Sequence, residues 1–380
     1  MDKSKNLFLN KKRKIEESIN PNYLNINKKI MNTEKDIIIL NEHSRWINKI
    51  LILKKQQKHN LISSSTDGLI ILYDEYPKYN PVLKMKLFGD SGVVNLTELN
   101  DGTIIACSFA SIKQLNILYD RNNNIFNYKV INYFVICSTY VFKCLELINE
   151  DLLCITQQNN IIFLRKYKEN SISTNEKYHY KDKEIIELLK NELCINILQL
   201  TNYLFISCNI ANSKYDLTEE IISKKNINCI KFYDQNFNFI RKIQNIYPTK
   251  SQNSLVKINE KYVIVGVEIC SNEINWNNQK GVALINYQYL ELLSFYETDN
   301  QISSIALYNN VLYFGDDKGI LRKYELDGQE IFLKKIKQLH QYNISSIEYD
   351  FIYDKNLKKN IFILLSGSND QTIKILSDLN

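Results

Sequence analysis

The residues of this chain able to do chemistry are few: four histidines, eight cysteines, and serines and aspartates at suggestive intervals. Two histidines carry the same companions. His43 is followed by Ser63 and Asp67, and His340 by Ser366 and Asp370, with the aspartate four positions after the serine both times. Ser, His and Asp are the residue types of a nucleophile, its base and the group that orients the base. A constellation that occurs twice with the same serine-to-aspartate interval is better explained as repeated structure. A buried carboxylate needs donors, and an imidazole supplies one while fixing a turn. The four histidines, His43, His59, His179 and His340, show no metal-ligand spacing, and no glycine-rich phosphate loop occurs. No paired carboxylates stand out. Neither enzymatic activity nor a cofactor or metal is expected.

The cysteines (Cys107, Cys137, Cys144, Cys154, Cys194, Cys208, Cys229 and Cys270) form no C-x-x-C pair and sit mostly in apolar, strand-like runs such as LLCIT and LFISCNI. They read as buried free thiols of a reducing compartment. The sequence shows no signal peptide and no apolar run of membrane-spanning length. An intracellular protein, cytoplasmic or nuclear, is expected.

The elements that position these residues are strands. LLSGSNDQTIKIL, Leu364 to Leu376, is a small apolar run, a turn at Asn369 and Asp370, and a β-branched strand. LISSSTDGLIILYD, ending at Tyr73–Asp74, has the same form. Further endings fall at Tyr119–Asp120, Tyr167, Tyr233–Asp234, Tyr287, Tyr324 and Leu376, at intervals of 46, 48, 66, 54, 37 and 52 residues. The period stays near the roughly 40–45 residues of one four-stranded propeller blade. The pattern resembles the end of a WD repeat, S-G-S-x-D-x-T-I-x-I-W-D, with tyrosine in the tryptophan place. The resemblance spans residues 36–380 and is most specific in the first and last repeats. It implies an all-β, seven-bladed β-propeller of WD-repeat type. With 44% hydrophobic residues, the chain has enough apolar surface for such a body.

The resemblance carries further expectations. A hydrogen-bonded network should join His43, Ser63, Asp67 and Tyr73 in blade one, and His340, Ser366 and Asp370 in blade seven, where Leu376 cannot complete it. Asp36–Asn41 (DIIILN) is a strand without a partner, and the last repeat lacks a fourth strand. The N-terminal strand is therefore expected to complete the last blade and close the ring. Family positions facing one mouth of the channel map onto Trp46, Asn48 and Thr66, and onto Asn343, Ser345 and Asn369. Long insertions at 210–227 and 269–280, the second holding Trp276, are expected on the same face. Glu184–Lys190 (EIIELLK) has helical spacing and reads as a short helical connection.

Charge is unevenly spread. Residues 1–35 hold nine Lys or Arg against four Asp or Glu, so most of the net +6 belongs to this segment, which is expected to be a disordered tail. Its run Lys11, Lys12, Arg13 and Lys14 has the form of a nuclear signal. Lys54, Lys55 and Lys58 in the first blade, with Lys355, Lys358 and Lys359 in the last, should share a basic patch on the opposite face. These lysines carry no interleaved aromatic or arginine in their loops, which argues against sequence-specific nucleic-acid reading. The function implied is a non-catalytic scaffold, a monomeric propeller within a multiprotein complex and not at a membrane. The alternative is a ribonucleoprotein or chromatin factor that contacts nucleic acid through tail and patch.

Overall fold

The computed structural model describes residues 37–55, 60–76, 78–120, 123, 125–157, 160–168, 178–187, 192–211, 228–243, 246–270, 278–354 and 358–377. The tail with Lys11, Lys12, Arg13 and Lys14 lies outside them, as do Lys58, His59, Lys355, Trp276 and most of both insertions. No helix occurs among the described residues; all regular structure is strand.

After β1 (Ile37–Leu40), strands β2 (Ile47–Ile52), β3 (Leu61–Ser65), β4 (Ile70–Tyr73) and β5 (Pro81–Met85) pair antiparallel in chain order as a first group. Next comes a seven-stranded sheet of β6 (Asn95–Glu98), β7 (Ile104–Cys107), β8 (Phe109–Asp120), β9 (Ile125–Glu146), β10 (Leu152–Thr156), β11 (Asn160–Lys168) and β12 (Tyr178–Glu187). In it β9 serves twice, pairing with β8 through residues 125–140 and with β10 through residues 141–146. The sheet is thus a second and a third group of four sharing one strand.

The fourth group is β13 (Glu192–Thr201), β14 (Leu204–Ala211), β15 (Cys229–Asp234) and β16 (Phe239–Ile243). In the fifth, β17 (Ile246–Pro248) and β18 (Leu255–Lys257) both pair with β19 (Tyr262–Cys270), followed by β20 (Asn278–Asn286) and β21 (Glu291–Thr298). The sixth is β22 (Ile302–Tyr308), β23 (Val311–Asp316), β24 (Ile320–Asp327) and β25 (Glu330–Gln338). The last combines β26 (Ile344–Asp354), β27 (Lys359–Ser368) and β28 (Ile373–Ser377) with β1. There the two ends of the chain meet: β1 runs antiparallel to β28, from Ile37 opposite Leu376 to Leu40 opposite Ile373.

Middle strands such as β3, β4, β7 and β10 are buried at every position, because both their faces are covered. The outer strand β5 is mostly exposed or half-buried. Among the described residues, seven apolar clusters fill the spaces between groups, six drawn from consecutive groups and one from the first and last. One joins the chain's two ends, with Ile47, Ile50 and Ile71 against Ile363, Leu365 and Ile375. Burial of each such side chain contributes about 1.5–3 kcal/mol. First strands touch as well: β2 packs on β6, β13 on β18, β18 on β22, β22 on β26 and β26 on β2.

The fifth group departs from the others. Between β17 and β18 the segment 249–254 leaves the sheet edge. Ser251 Oγ donates to Ser303 O, and Ile305 N donates to Asn253 O at 2.9 Å. Asn253 Nδ2 donates to Ser345 O at 2.7 Å, two groups away, and Asn95 Nδ2 to Gln252 Oε1 at 3.4 Å, three groups away. Gly266 makes room for this excursion. A Cβ there would stand 3.0 Å from Ile302 O and 3.1 Å from Ser254 Cβ.

Two expectations are corrected. The span 184–187, read as helical, belongs to strand β12, where Ile185 and Ile186 pair with Ile162 and Ile161. An exposed sheet edge gave this segment a partner, and tertiary pairing overrode local periodicity. The cysteines are not all free: Cys144 and Cys154 form a disulfide, whereas Cys107, Cys194, Cys208 and Cys229 are buried thiols. Cys144 and Cys154 lie directly opposite on β9 and β10 with Cα atoms 4.3 Å apart, a cross-strand neighbourhood that sequence spacing does not display.

Candidate interaction surface

His43 precedes β2, and Asp67 lies in the turn between β3 and β4, so both sit on the face where β2 begins. Asp67 Oδ2 bonds His43 Nδ1 at 3.0 Å and accepts from Ser44 N at 3.0 Å, while Ser63 Oγ lies 2.7 Å from His43 Nε2. The last group repeats this. His340 Nδ1 is 2.9 Å from Asp370 Oδ2, and its Nε2 is 2.8 Å from Ser366 Oγ. Each aspartate also accepts from the backbone two residues on, Leu69 N at 2.9 Å and Thr372 N at 3.0 Å, which closes the turn on itself.

These groups have the connectivity of a hydrolytic triad but not its access. Ser63 and Ser366 are fully buried, and the histidines nearly so. Burial would raise the Asp67 carboxyl, but the His43 hydrogen bond and the backbone donors outweigh it and hold it at about 2. Asp370 is likewise held below the usual carboxylate range, the His340 and Thr372 hydrogen bonds overcoming burial. For His340, burial outweighs the pull of Asp370, and the imidazole is pushed below its free value of 6.5. Tyr73 fills the tryptophan position, fully buried, with burial pushing its phenol up to about 12 despite the nearby Ser63. Its hydroxyl makes no geometrically complete hydrogen bond, so the network ends at Ser63.

The sixth group performs the same task with residues that sequence reading passed over. Asp316 accepts from Arg322 Nη1, from Asn300 Nδ2 at 2.9 Å, and from Lys318 N and Ile320 N at 2.9 and 2.8 Å. Asp316 and Arg322 are almost wholly buried. An Asp six residues before an Arg, flanking a glycine turn, was the available signal.

On the histidine face, Trp46 is 57% exposed and its carbonyl accepts from Thr66 N at 3.0 Å, so its ring stands out from a tied-down turn. The corresponding turn of the last group has Asn369 N donating to Asn343 O at 3.0 Å, and Asn343 Oδ1 has no partner. Tyr342, 60% exposed, adds an aromatic beside it that the sequence did not single out. Asn48 and Ser345 are spent internally. Asn48 Nδ2 donates to Val93 O at 2.8 Å, and Ser345 Oγ donates to Ile47 O and to Gly367 O.

The opposite face holds the described lysines. Lys54 and Lys55 follow β2, and their backbone N–H groups each donate to a Glu98 carboxylate oxygen at 2.9 Å. Lys358 is exposed just ahead of β27, which Lys359 opens. Lys54 Nζ lies 4.4 Å from the ring centre of Tyr349. An aromatic ring is therefore beside Lys54 after all, carried in by strand β26. Among the described residues, no group of His, Cys, Asp or Glu is arranged to hold a metal, and no helix is long and apolar enough to cross a membrane.

No protein-family model matches the chain, and no curated protein sequence matches it. Solved structures do. Sqt1 of Saccharomyces cerevisiae superimposes with a TM-score of 0.61 at 7% identity, covering 91% of this chain and 99% of that one. U3-55K gives a TM-score of 0.60 at 12% identity, over 90% of this chain and 98% of its own. The WD40 β-propeller domain of Doa1 gives 0.59 at 12% identity, over 90% and 96%. At such identities the likeness concerns fold alone, and it agrees with the histidine–aspartate turns and the repeated antiparallel groups: the chain has the fold of the WD-repeat β-propellers.

Proposed function

We propose that this chain is a non-catalytic scaffold, a monomeric seven-bladed WD-repeat propeller that docks another protein on its histidine face within a larger complex. The ring reading is supported by β1 pairing with β28 and by the apolar cluster joining the first and last groups. If the first strand closes the ring, a chain lacking residues 36–41 should aggregate and lose cooperative melting. A soluble deletion variant with unchanged melting would remove this part of the proposal.

The observation that carries the docking site is Trp46, more than half exposed on a turn held by hydrogen bonds from both sides. A rigid aromatic there offers contact area at little entropic cost. Thr66 beside it and Asn343 and Asn369 in the matching turn of the last group are proposed as polar contacts, and Trp276, outside the described residues, as a second anchor. Trp46→Ala should weaken recovery of co-purifying partners by about fivefold or more, which is over about 1 kcal/mol, with melting almost unchanged. The site is wrong if the variant retains its partners, or if it loses the roughly 3–5 kcal/mol of stability expected of a core tryptophan. A second reading, contact with nucleic acid, draws its support from Lys54, Lys55 and Lys358 on the opposite face, which form no ion pair among the described residues.

A further inference from the structure

We propose that the face opposite the histidines carries a binding site for single-stranded nucleic acid, built from the rings of Tyr308, Tyr349, Phe351 and Phe362 beside Lys54, with Lys358 exposed on the same face. The proposal rests on the second reading above and gives it a location and a ligand class. Tyr308 ends β22, Tyr349 and Phe351 lie on β26, and Phe362 lies on β27. Their ring centres are 4.6 Å apart for Tyr308 and Phe351, 5.2 Å for Tyr308 and Tyr349, and 5.3 Å for Phe351 and Phe362. Phe351 is 39% exposed and the other three are half-buried, so the cluster reaches the surface and is not sealed in the core.

Charge selects the occupant. The Glu98 carboxylate is engaged by the backbone N–H groups of Lys54 and Lys55, not by their ammonium groups. No ion pair among the described residues uses Lys54, Lys55 or Lys358. Glu348 on β26 pairs with Lys49, and Asp350 is buried. The surface thus combines uncommitted positive charge with aromatic rings and lacks arginine. Lysines attract a phosphate backbone as point charges, and π-faces stack bases of any identity. Without arginine forks, neither bidentate phosphopeptide recognition nor base-edge reading in a duplex is provided for.

The test uses the full chain with Lys11, Lys12, Arg13 and Lys14 replaced by alanine, so that the tail cannot mask the site. Binding of a fluorescein-labelled oligouridylate of about twelve nucleotides is followed by anisotropy at several salt concentrations. Tyr349→Leu with Phe351→Leu keeps apolar volume and removes the π-faces. It should weaken binding about tenfold with unchanged melting, and Lys54→Gln should flatten the log–log salt slope by about 0.7. A duplex of the same length should bind less tightly than the single strand.

Ring variants that bind like their parent overturn the inference while leaving the nucleic-acid reading standing on charge alone. A parent protein that binds no oligouridylate even at low salt overturns both. An oligoglutamate peptide that competes as well as the RNA overturns the inference in favour of an acidic protein partner.

Discussion

The turn between β3 and β4 and the turn between β23 and β24 have the same backbone and opposite chemistry. In both, a glycine N–H donates back at 3.2 Å, Gly68 to Ser65 O and Gly319 to Asp316 O, and both glycines have φ near +80°. The first turn is held by an imidazole between a serine and an aspartate, the second by a buried guanidinium–carboxylate pair. Turn geometry is therefore common to the two groups, and different donors meet it in each. The two solutions differ in cost: an uncharged imidazole leaves the first turn with the aspartate's charge alone, whereas the ion pair keeps two desolvated charges that depend on each other.

The largest effect should come from breaking that dependence. Asp316→Ala alone should destabilise by about 3–5 kcal/mol, because it leaves Arg322 buried and unpaired. Asp316→Leu combined with Arg322→Met should recover most of that loss in a denaturant titration. If the double variant is as unstable as the single one, the pair specifies the turn and does more than satisfy its own charges.

A smaller effect sharpens the other side of the comparison. His340 is held below its free value of 6.5, so its contribution is complete above that value and declines as pH falls below it. Asp67, depressed from 3.8 to about 2, keeps its contribution down to 3.8 and loses it on further acidification. Melting temperature should accordingly drop between about pH 7.5 and about pH 5.5, and the drop should be shallower in His340→Gln. Equal slopes in the two proteins would assign the pH dependence elsewhere.

The smallest effect concerns the third turn of this kind. Gln371 occupies the glycine position of the last group with φ of 71°, its N–H donating to Ser368 O at 3.2 Å. Gln371→Gly should stabilise by about 0.5–1 kcal/mol through relief of that strain, less the entropy glycine gains when unfolded. A destabilised variant would show that the Gln371 side chain contributes contacts outweighing its backbone strain.

The same comparison explains what could be read in advance. Tyr73, Tyr119, Tyr167, Tyr233, Tyr324 and Leu376 all fall in the third strand of their groups, and Tyr287 directly follows one, because that strand lies between two others in each group. A constraint shared by every repeat writes itself into the sequence at a period. Asp316 and Arg322 meet the constraint with other residue types and escape the pattern. The rings of Tyr308, Tyr349 and Phe362 come from three strands, so no local window brings them together. Strand β12 was misread for a related reason, since Ile185 and Ile186 owe their conformation to β11.

The segment between β17 and β18 has a consequence for traffic along the axis. Gln252 meets Asn95 three groups away and Asn253 meets Ser345 two groups away, and in the seven-bladed ring proposed above such contacts are made only across its middle. In that ring, a strand or a peptide tail entering from the histidine side would meet the amides of Gln252, Asn253 and Asn95 first. A partner bound on that side of such a ring would grip the rim and would not thread it.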